Sequence, residues 1–153
     1  MNAAAVRAAS LVLAVLGLGL SVYLTIEHYS SGTTLACPAT STVNCAKVTT
    51  SPESKILGIP VAVLGLLFFI AMVGLTLPVS WRARNAIVHQ VRVASASAGI
   101  VFVLWLIYAE LFRINAICLW CTGVHIVTFL LFCVVAYAAA YWGFGPADEP
   151  AQS

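Results

Sequence analysis

The stretch that decides the fold reads ICLWCTGVHIVTFLLFCVVAYAAAY, residues 117–141. A membrane-spanning helix needs about 20 mostly apolar residues, and this run is long enough. Cys118 and Cys121 form a C-x-x-C pair at its start. We therefore expect both thiols at a helix N-terminus, where the helix dipole and the unpaired N–H groups favour the thiolate. The thiolate is the form of cysteine that attacks disulfides.

Three further apolar runs of spanning length precede it, at about residues 8–26, 56–77 and 93–112. Hydrophobic residues make up 62% of the chain and charged residues only 8%, whereas a soluble domain has roughly 25% charged residues. The mean hydropathy is +1.03. We predict an all-α fold: one domain, an integral membrane four-helix bundle with a long extracytoplasmic loop between helices 1 and 2. The Pro-rich, acidic tail 145–153 is predicted to be disordered.

The charges predict the orientation of this bundle. Arg82, Arg84 and Arg92 lie between the second and third spans, and Arg7 precedes the first. The positive-inside rule then places both termini and the middle connection in the cytoplasm. Three basic residues on the opposite side make the bias modest: Lys47, Lys55 and Arg113. The net charge of +2 is small and scattered, so we expect no nucleic-acid partner.

An alternative interpretation of the first apolar run is a signal peptide, because a charged residue precedes it. Its apolar stretch is longer than the usual signal-peptide core, and no A-x-A cleavage site follows. A retained membrane helix is the interpretation that we adopt.

A second cysteine pair, Cys37 and Cys45, lies in the polar segment 28–55 between the first two spans. The predicted orientation brings it to the same, oxidising side as Cys118 and Cys121. Taken alone, the pair is equally consistent with a structural disulfide, which would add about 2–3 kcal/mol to the free energy of unfolding. The four cysteines also allow a zinc site, but the second C-x-x-C or H-x₃₋₅-H that would support it is missing. We predict no metal.

The segment 28–55 carries turn and capping residues rather than a second domain. Ser51 precedes Pro52, a combination that favours the first turn of a helix. We expect a short interfacial helix that runs through Lys55 toward Pro60 and covers the outer end of the bundle. The rest of the segment is expected to act as a short flexible carrier of its cysteine pair.

His125 continues the stripe of Cys118 and Cys121, because the three residues stand at i, i+3 and i+7 on one helix. An ionisable residue inside a membrane bundle is a functional candidate by default, and a hydrogen bond between helices is the alternative. Cys133 lies on another face of the same helix. We expect it to be an inert packing thiol.

Other polar and aromatic side chains near the ends of the spans have simpler explanations. Interfacial solvation accounts for Glu27 and His28 near the end of the first span, and for Glu110 near that of the third. Three aromatic residues fit the belt at the opposite interface: Trp81, Tyr141 and Trp142.

In their order along the chain, these features resemble the vitamin K epoxide reductase family in its bacterial form. DsbB, another four-span disulfide oxidase, carries its two cysteine pairs in the reverse order. The motifs that carry the resemblance cover nearly the whole chain: Cys37-x₇-Cys45, Ser51, Leu57-Gly58-Ile59-Pro60 followed by Gly65, Tyr108, and Cys118-x-x-Cys121.

The resemblance implies a quinone-dependent membrane thiol oxidoreductase. A reduced thioredoxin-fold protein would attack the Cys37–Cys45 disulfide at Cys37, and Cys45 would then attack Cys118 of a Cys118–Cys121 disulfide. Cys121, released as thiolate, would pass two electrons to a quinone, either menaquinone or ubiquinone.

Two positions depart from the family pattern at the quinone end. Family members often carry Asn at the position of Val61, and vertebrate members carry Tyr at the position of His125; both are implicated in hydrogen bonding to the quinone carbonyls. Val61 cannot donate a hydrogen bond. The resemblance therefore makes His125, with Ser51, the expected quinone contact.

Many bacterial relatives continue into a fused thioredoxin-like domain that this sequence does not contain. The resemblance thus implies a separate, DsbA-like extracytoplasmic partner for a protein of the bacterial cytoplasmic membrane, in contact with membrane lipid and quinone. Vitamin K or quinone reduction as the primary activity is the alternative within enzymes. A non-enzymatic membrane protein with structural disulfides is the alternative outside them.

Overall fold

The computed structural model describes residues 2–30, 37, 40 and 42–143, and within these ranges the chain is mostly helical. A 3₁₀ turn covers Pro52–Ser54, and a π-helical segment covers Ala109–Ile114. Two short strands, β1 (Lys55–Ile56) and β2 (Ile59–Pro60), pair antiparallel. The α-helices are α1 (Ala3–Tyr29), α2 (Cys45–Thr49), α3 (Val61–Thr76), α4 (Pro78–Trp81), α5 (Ala86–Tyr108) and α6 (Leu119–Trp142).

Three helical stretches are long and apolar enough to cross a membrane: Ala3–Tyr29, Ala86–Ile114 and Leu119–Trp142. Helix α3 is apolar but has only 16 residues, about 24 Å at 1.5 Å per residue. That length falls short of the roughly 30 Å hydrocarbon core of a bilayer. Three of the four expected spans therefore reach spanning length among the described residues.

The second apolar run starts later than predicted because β1 and β2 form a hairpin ahead of α3. Leu57 and Gly58 make its two-residue turn with φ of 53° and 82°, the left-handed values that such hairpin turns require. The expectation that a helix continues through Lys55 toward Pro60 is wrong. Ser51 and Pro52 do open a helical turn as predicted, but it is a 3₁₀ turn that ends at Ser54.

The long helices pack closely through small residues. Helix α1 packs against α3 and α6, and α5 packs against α6 and α3. A Cβ atom on Gly17 would overlap the ring of Phe69, and one on Gly99 would lie 2.8 Å from the Phe68 ring. The largest buried apolar cluster lies between these helices: Ala14, Phe69, Met72, Ala96, Leu131 and Val135.

The helices have two ends, which we call the cysteine end and the arginine end. The cysteine end carries Cys45 and Cys118, and the arginine end carries Arg92 with its neighbours Trp81 and His89. Two expectations concern residues outside those described. They are the flexible carrier predicted for the first half of the segment 28–55, most of which is not described, and the disordered tail predicted for 145–153.

Arg92 does not belong to the solvated connection where the sequence analysis placed it. The helix α5 begins at Ala86, so Arg92 lies one and a half turns inside it and is only 2% exposed. Its Nε donates to the Leu75 carbonyl at 2.8 Å and its Nη2 donates to the Ser80 carbonyl at 2.9 Å. Trp81, expected in an aromatic belt, is buried under the guanidinium group, 3.7 Å from it.

Candidate functional site

Cys118 is the N-cap residue of α6. Its Sγ accepts the backbone N–H of Cys121 at 3.3 Å, in the way that an N-cap side chain satisfies an unpaired donor of the first turn. The Cys118 carbonyl in turn accepts the Thr122 hydroxyl at 2.9 Å. Both thiols of the C-x-x-C therefore lie at the helix N-terminus, as the sequence predicted.

This environment favours a thiolate at Cys118. A hydrogen bond from the Cys121 thiol, together with the backbone N–H groups of Cys121 and Trp120, lowers the pKa of the Cys118 thiol below its usual value. Burial and the negative charge of Glu110 act in the opposite direction. Cys118 is thus the more nucleophilic partner of a pair that the structure holds reduced.

The second pair forms a disulfide: Cys37 and Cys45 are bonded, with their Cα atoms 6.2 Å apart. Cys45 is the first residue of α2, and the N-cap Asn44 accepts the Lys47 N–H on its Oδ1 at 2.9 Å. This short helix, which the sequence analysis missed, fixes the position of Cys45 at the cysteine end.

A backbone bridge joins the two cysteine-bearing segments. Val43 pairs in parallel with Ile117: the Asn44 N–H donates to the Ile117 carbonyl at 3.0 Å, and the Ile117 N–H donates to the Thr42 carbonyl at 2.9 Å. Cys45 and Cys118 follow these positions by two residues and one. One buried apolar cluster consequently holds both pairs: Cys45, Val48, Ile114, Ala116 and Cys118, with Cys37, Trp120 and Cys121 packed against it.

Glu110 is a functional candidate that the sequence analysis assigned to interfacial solvation, and that assignment is wrong. The residue is 6% exposed and lies in the π-helical segment, whose end at Asn115 takes a left-handed φ of 51°. Its carboxylate accepts the backbone N–H of Cys118. Glu27 is also buried, at 2% exposure. The signal in the sequence is an ionisable residue within an otherwise apolar span, the same signal that indicates a role for His125.

Cys121 and His125 meet in a cavity of about 80 Å³ at the cysteine end. His125 is 6% exposed and lies one turn further along α6. The lining comes from helices α1, α2, α3, α5 and α6, from the 3₁₀ turn and from the π-helical segment. Besides Cys121 and His125, the lining residues include Leu24, His28, Val48, Glu53, Ser54, Val61, Leu106 and Glu110.

His125 also borders larger apolar spaces beside α6. One, of about 610 Å³, opens between α5 and α6 and is lined by both His125 and Glu110. Another, of about 350 Å³, lies between α3, α5 and α6. The side chains of His125 and Glu110 therefore border both the small cavity beside Cys121 and the larger apolar space between α5 and α6.

Two predicted residues are placed differently from the rest. The Ser51 hydroxyl donates to the Val48 carbonyl at 2.8 Å, and Ser51 does not line the cavity, although Glu53 and Ser54 do. Cys133 is exposed on the surface of α6, so its description as a packing thiol is wrong.

Among the described residues, no group of three or more His, Cys, Asp or Glu side chains is arranged to hold a metal ion.

Residues 8–136 match the model of a family described as the Vitamin K epoxide reductase family. No curated protein matches the chain.

Proposed function

The chain belongs to the vitamin K epoxide reductase family, and from that premise we propose that it reoxidises an extracytoplasmic thioredoxin-fold protein and delivers the electrons to a quinone. Membership makes it a membrane oxidoreductase. The proposal adds the direction of electron flow, the partner and the residues that carry each step.

The bridge between Val43 and Ile117 is the observation that carries the proposal. It docks the segment with the Cys37–Cys45 disulfide against the segment that leads into Cys118, and both pairs share one buried cluster. A disulfide with a purely structural role has no need of a second cysteine pair beside it. Two cysteine pairs held next to one another are the arrangement that thiol–disulfide exchange requires.

The relay follows from this arrangement. A thiolate of the reduced partner attacks Cys37, the Cys37–Cys45 bond breaks, and Cys45 leaves as thiolate. Cys45 attacks Cys118 of an oxidised Cys118–Cys121 pair, which frees Cys121. When the second thiol of the partner releases Cys37, that residue attacks Cys45 and frees Cys118. The partner is then oxidised, and the two electrons reside on Cys118 and Cys121.

The cavity beside Cys121 fits a quinone ring in its chemistry. Its lining is mostly apolar, Cys121 supplies the thiol, and His125 supplies a hydrogen-bond donor for a carbonyl oxygen. The quinone supplies the oxidising power for the return of Cys118 and Cys121 to a disulfide. The volume of about 80 Å³ is smaller than the roughly 300–1,000 Å³ of most ligand pockets. Side chains must therefore move to admit a ring.

The quinone contacts proposed from the sequence differ in their support. His125 lines the cavity with Cys121, whereas Val61 contributes only an apolar surface. Ser51 would have to release the Val48 carbonyl before its hydroxyl could reach a ligand. We therefore assign the main polar contact to His125 and keep Ser51 as a secondary candidate.

We propose that the cysteine end faces the extracytoplasmic side of the bacterial cytoplasmic membrane, with both termini in the cytoplasm. This topology requires α3 to be the fourth span, with the hairpin β1–β2 and the turn α4 making up for its short length. Arg7, Arg82 and Arg84 support it, because they belong to the arginine end while the paired cysteines lie at the other. An oxidising compartment on the cysteine side suits the chemistry.

A trapping experiment tests the proposal. In Cys45→Ala, Cys37 is left as a free thiol, so it should attack the disulfide of an oxidised DsbA-like protein, break that bond and form a mixed disulfide at Cys37 that Cys45 can no longer displace. Non-reducing gels with peptide mapping would locate the bond. The matched control is Cys37→Ala, which should trap no partner at the loop pair. A partner bonded to Cys118 in the Cys45→Ala variant would refute the relay through the loop.

The internal step has its own test. In a Cys37→Ala/Cys121→Ala variant, the remaining Cys45 and Cys118 should form a disulfide under oxidising conditions, because the Val43–Ile117 bridge already holds their segments together. Peptide mapping would detect it. Two free thiols would mean that electrons reach the C-x-x-C without passing through Cys45.

A further inference from the structure

We propose that Glu110 is the proton acceptor of the redox site, taking the proton of the cysteine thiols and returning it toward the quinone oxygen. The inference deepens the proposed function and rests on it. From the sequence, Glu110 was expected only to be solvated at the interface. The reason for the proposal is where the carboxyl group lies and what the reaction must move.

The reaction must transfer protons as well as electrons. When Cys118 and Cys121 return to a disulfide, two S–H bonds break and one S–S bond forms. Two electrons and two protons pass to the quinone, which becomes a quinol. A buried site with little water needs a group that accepts a proton from sulfur and gives it up to oxygen, and a positioned carboxylate is suited to that task.

Glu110 lies at the required position. The backbone N–H of Cys118 donates a hydrogen bond to its carboxylate, which ties the group to the first reactive cysteine. Glu110 also lines the cavity of about 80 Å³ together with Cys121 and His125. Its negative charge opposes negative charge at the Cys118 thiol. The carboxylate and that thiolate therefore disfavour one another as anions, and a proton held between them stabilises the pair.

The same residue connects the redox cavity to the outside. Glu110 lines a separate cleft of about 190 Å³ at the surface of the cysteine end, next to Thr42, Asn115 and Ile117. Among the described residues, it alone borders both this cleft and the cavity of Cys121. Protons can thus enter or leave the site by way of this carboxyl group.

The π-helical segment explains why the side chain points inward. The widened turn Ala109–Ile114 ends at Asn115, where the Ala116 N–H donates to the Glu110 carbonyl at 3.1 Å. π-Helical turns are rare and recur at functional sites. The other ionisable groups facing Glu110 are few. In the same cavity these are His28 from α1, Glu53 from the 3₁₀ turn, and Cys121 and His125 from α6; Glu53 is itself 3.7 Å from Arg113.

Glu110→Gln is the decisive variant, because the amide can still accept the Cys118 N–H but cannot take a proton. With pre-reduced protein and a soluble quinone analogue, we expect stopped-flow quinone reduction to fall roughly 100-fold, as for loss of a general base. The solvent deuterium isotope effect should rise. Glu110→Asp should recover part of the rate. Exchange between the partner and the Cys37–Cys45 disulfide should remain near the wild-type rate.

A titration gives a second readout that does not need a quinone. Removing the carboxylate charge lowers the pKa of the Cys118 thiol, so ultraviolet thiolate absorbance of reduced Glu110→Gln should appear at lower pH than in the wild type. An unchanged titration, a wild-type rate in Glu110→Gln, or equal losses in Gln and Asp with an unchanged isotope effect would each overturn the proposal. If the wild-type protein reduces no quinone but the thiolate titration still shifts in Glu110→Gln, the proposed function is refuted instead.

Discussion

The arginine end and the cysteine end both bury ionisable side chains, yet they use them in different ways. At the arginine end, the donors of Arg92 are taken by the carbonyls of Leu75 and Ser80 and by Nδ1 of His89 at 3.1 Å. The ring of His89 in turn donates from Nε2 to the Ala83 carbonyl at 2.9 Å. The neighbouring cavity measures about 10 Å³, at the limit of what one water molecule needs.

At the cysteine end, Glu110 and His125 are also nearly fully buried, but both side chains face cavities that reach a reactive thiol. Burial of an ionisable residue inside a membrane protein therefore does not identify a functional group by itself. What distinguishes the two ends is whether the polar atoms are consumed by fixed backbone partners or remain available to a ligand.

The largest effect should come from the cysteine end. Cys121→Ser removes the thiol that lies in the cavity with His125, and quinone reduction should fall by roughly 10³-fold or more, as for loss of a reacting group. Cys133→Ser, on the exposed face of the same helix, is the control and should keep nearly full activity. Stopped-flow absorbance of the quinone would measure both. Equal losses would remove the distinction between relay and surface thiols.

At the arginine end, the expected loss is of stability and not of chemistry. Arg92→Met would leave the carbonyls of Leu75 and Ser80 without their donor, at a cost of about 2–4 kcal/mol in the free energy of unfolding. The exposed Arg84→Met is the matched control and should cost little. Denaturation in detergent would give both values. A loss of quinone reduction by folded Arg92→Met would show that the two ends are not separable.

His125→Phe tests whether the polar atom of that side chain acts on a ligand. Losing a buried donor costs about 1–3 kcal/mol, which corresponds to roughly 5- to 150-fold in the rate of quinone reduction. The mixed disulfide with the partner should still form. Leu130→Phe, an exposed substitution on the same helix, should retain the wild-type rate. A wild-type rate across pH 6–8 in His125→Phe would make this residue a helix-packing group like His89.

The smallest effect concerns helix caps at the two ends. Asn44→Ala removes the cap of the five-residue helix α2, and Asn85→Ala removes the cap of the long helix α5. Each change costs about 1 kcal/mol. Because α2 has only five residues, the cap supplies a large share of its hydrogen bonds, and we expect faster hydrogen exchange at its amides in Asn44→Ala. No comparable change is expected at the start of α5. Similar exchange in both variants would mean that packing, and not the cap, holds Cys45 in place.

Much of the cysteine end was predictable because the motifs that define it lie close together in the sequence. A C-x-x-C directly before an apolar run places Cys118 and Cys121 at a helix N-terminus, and the spacing to His125 brings that residue onto the same face. The family resemblance followed from the order of these motifs, and the family match confirmed it. The disulfide of Cys37 with Cys45, left open by their spacing alone, is present in the structure.

The errors at Glu110, Glu27 and Cys133 share one physical cause: each depended on neighbours from another part of the chain. Glu110 and Glu27 looked solvated because they stand near span ends, and only packing against other segments buries them. Cys133 looked internal because its helix is apolar all round, and periodicity cannot say which faces neighbouring helices cover.

The sequence by itself determined roughly where the apolar helices run, that the chain belongs in a membrane, and which cysteines lie close together along the chain, because hydrophobic length and short motif spacing are properties of contiguous residues. The tertiary structure alone decided that Val43 meets Ile117, that Arg92 is enclosed by backbone carbonyls, and that Glu110 faces the thiols. Those outcomes depend on which distant backbone and side-chain groups come within hydrogen-bonding distance, and this is set only when the helices pack.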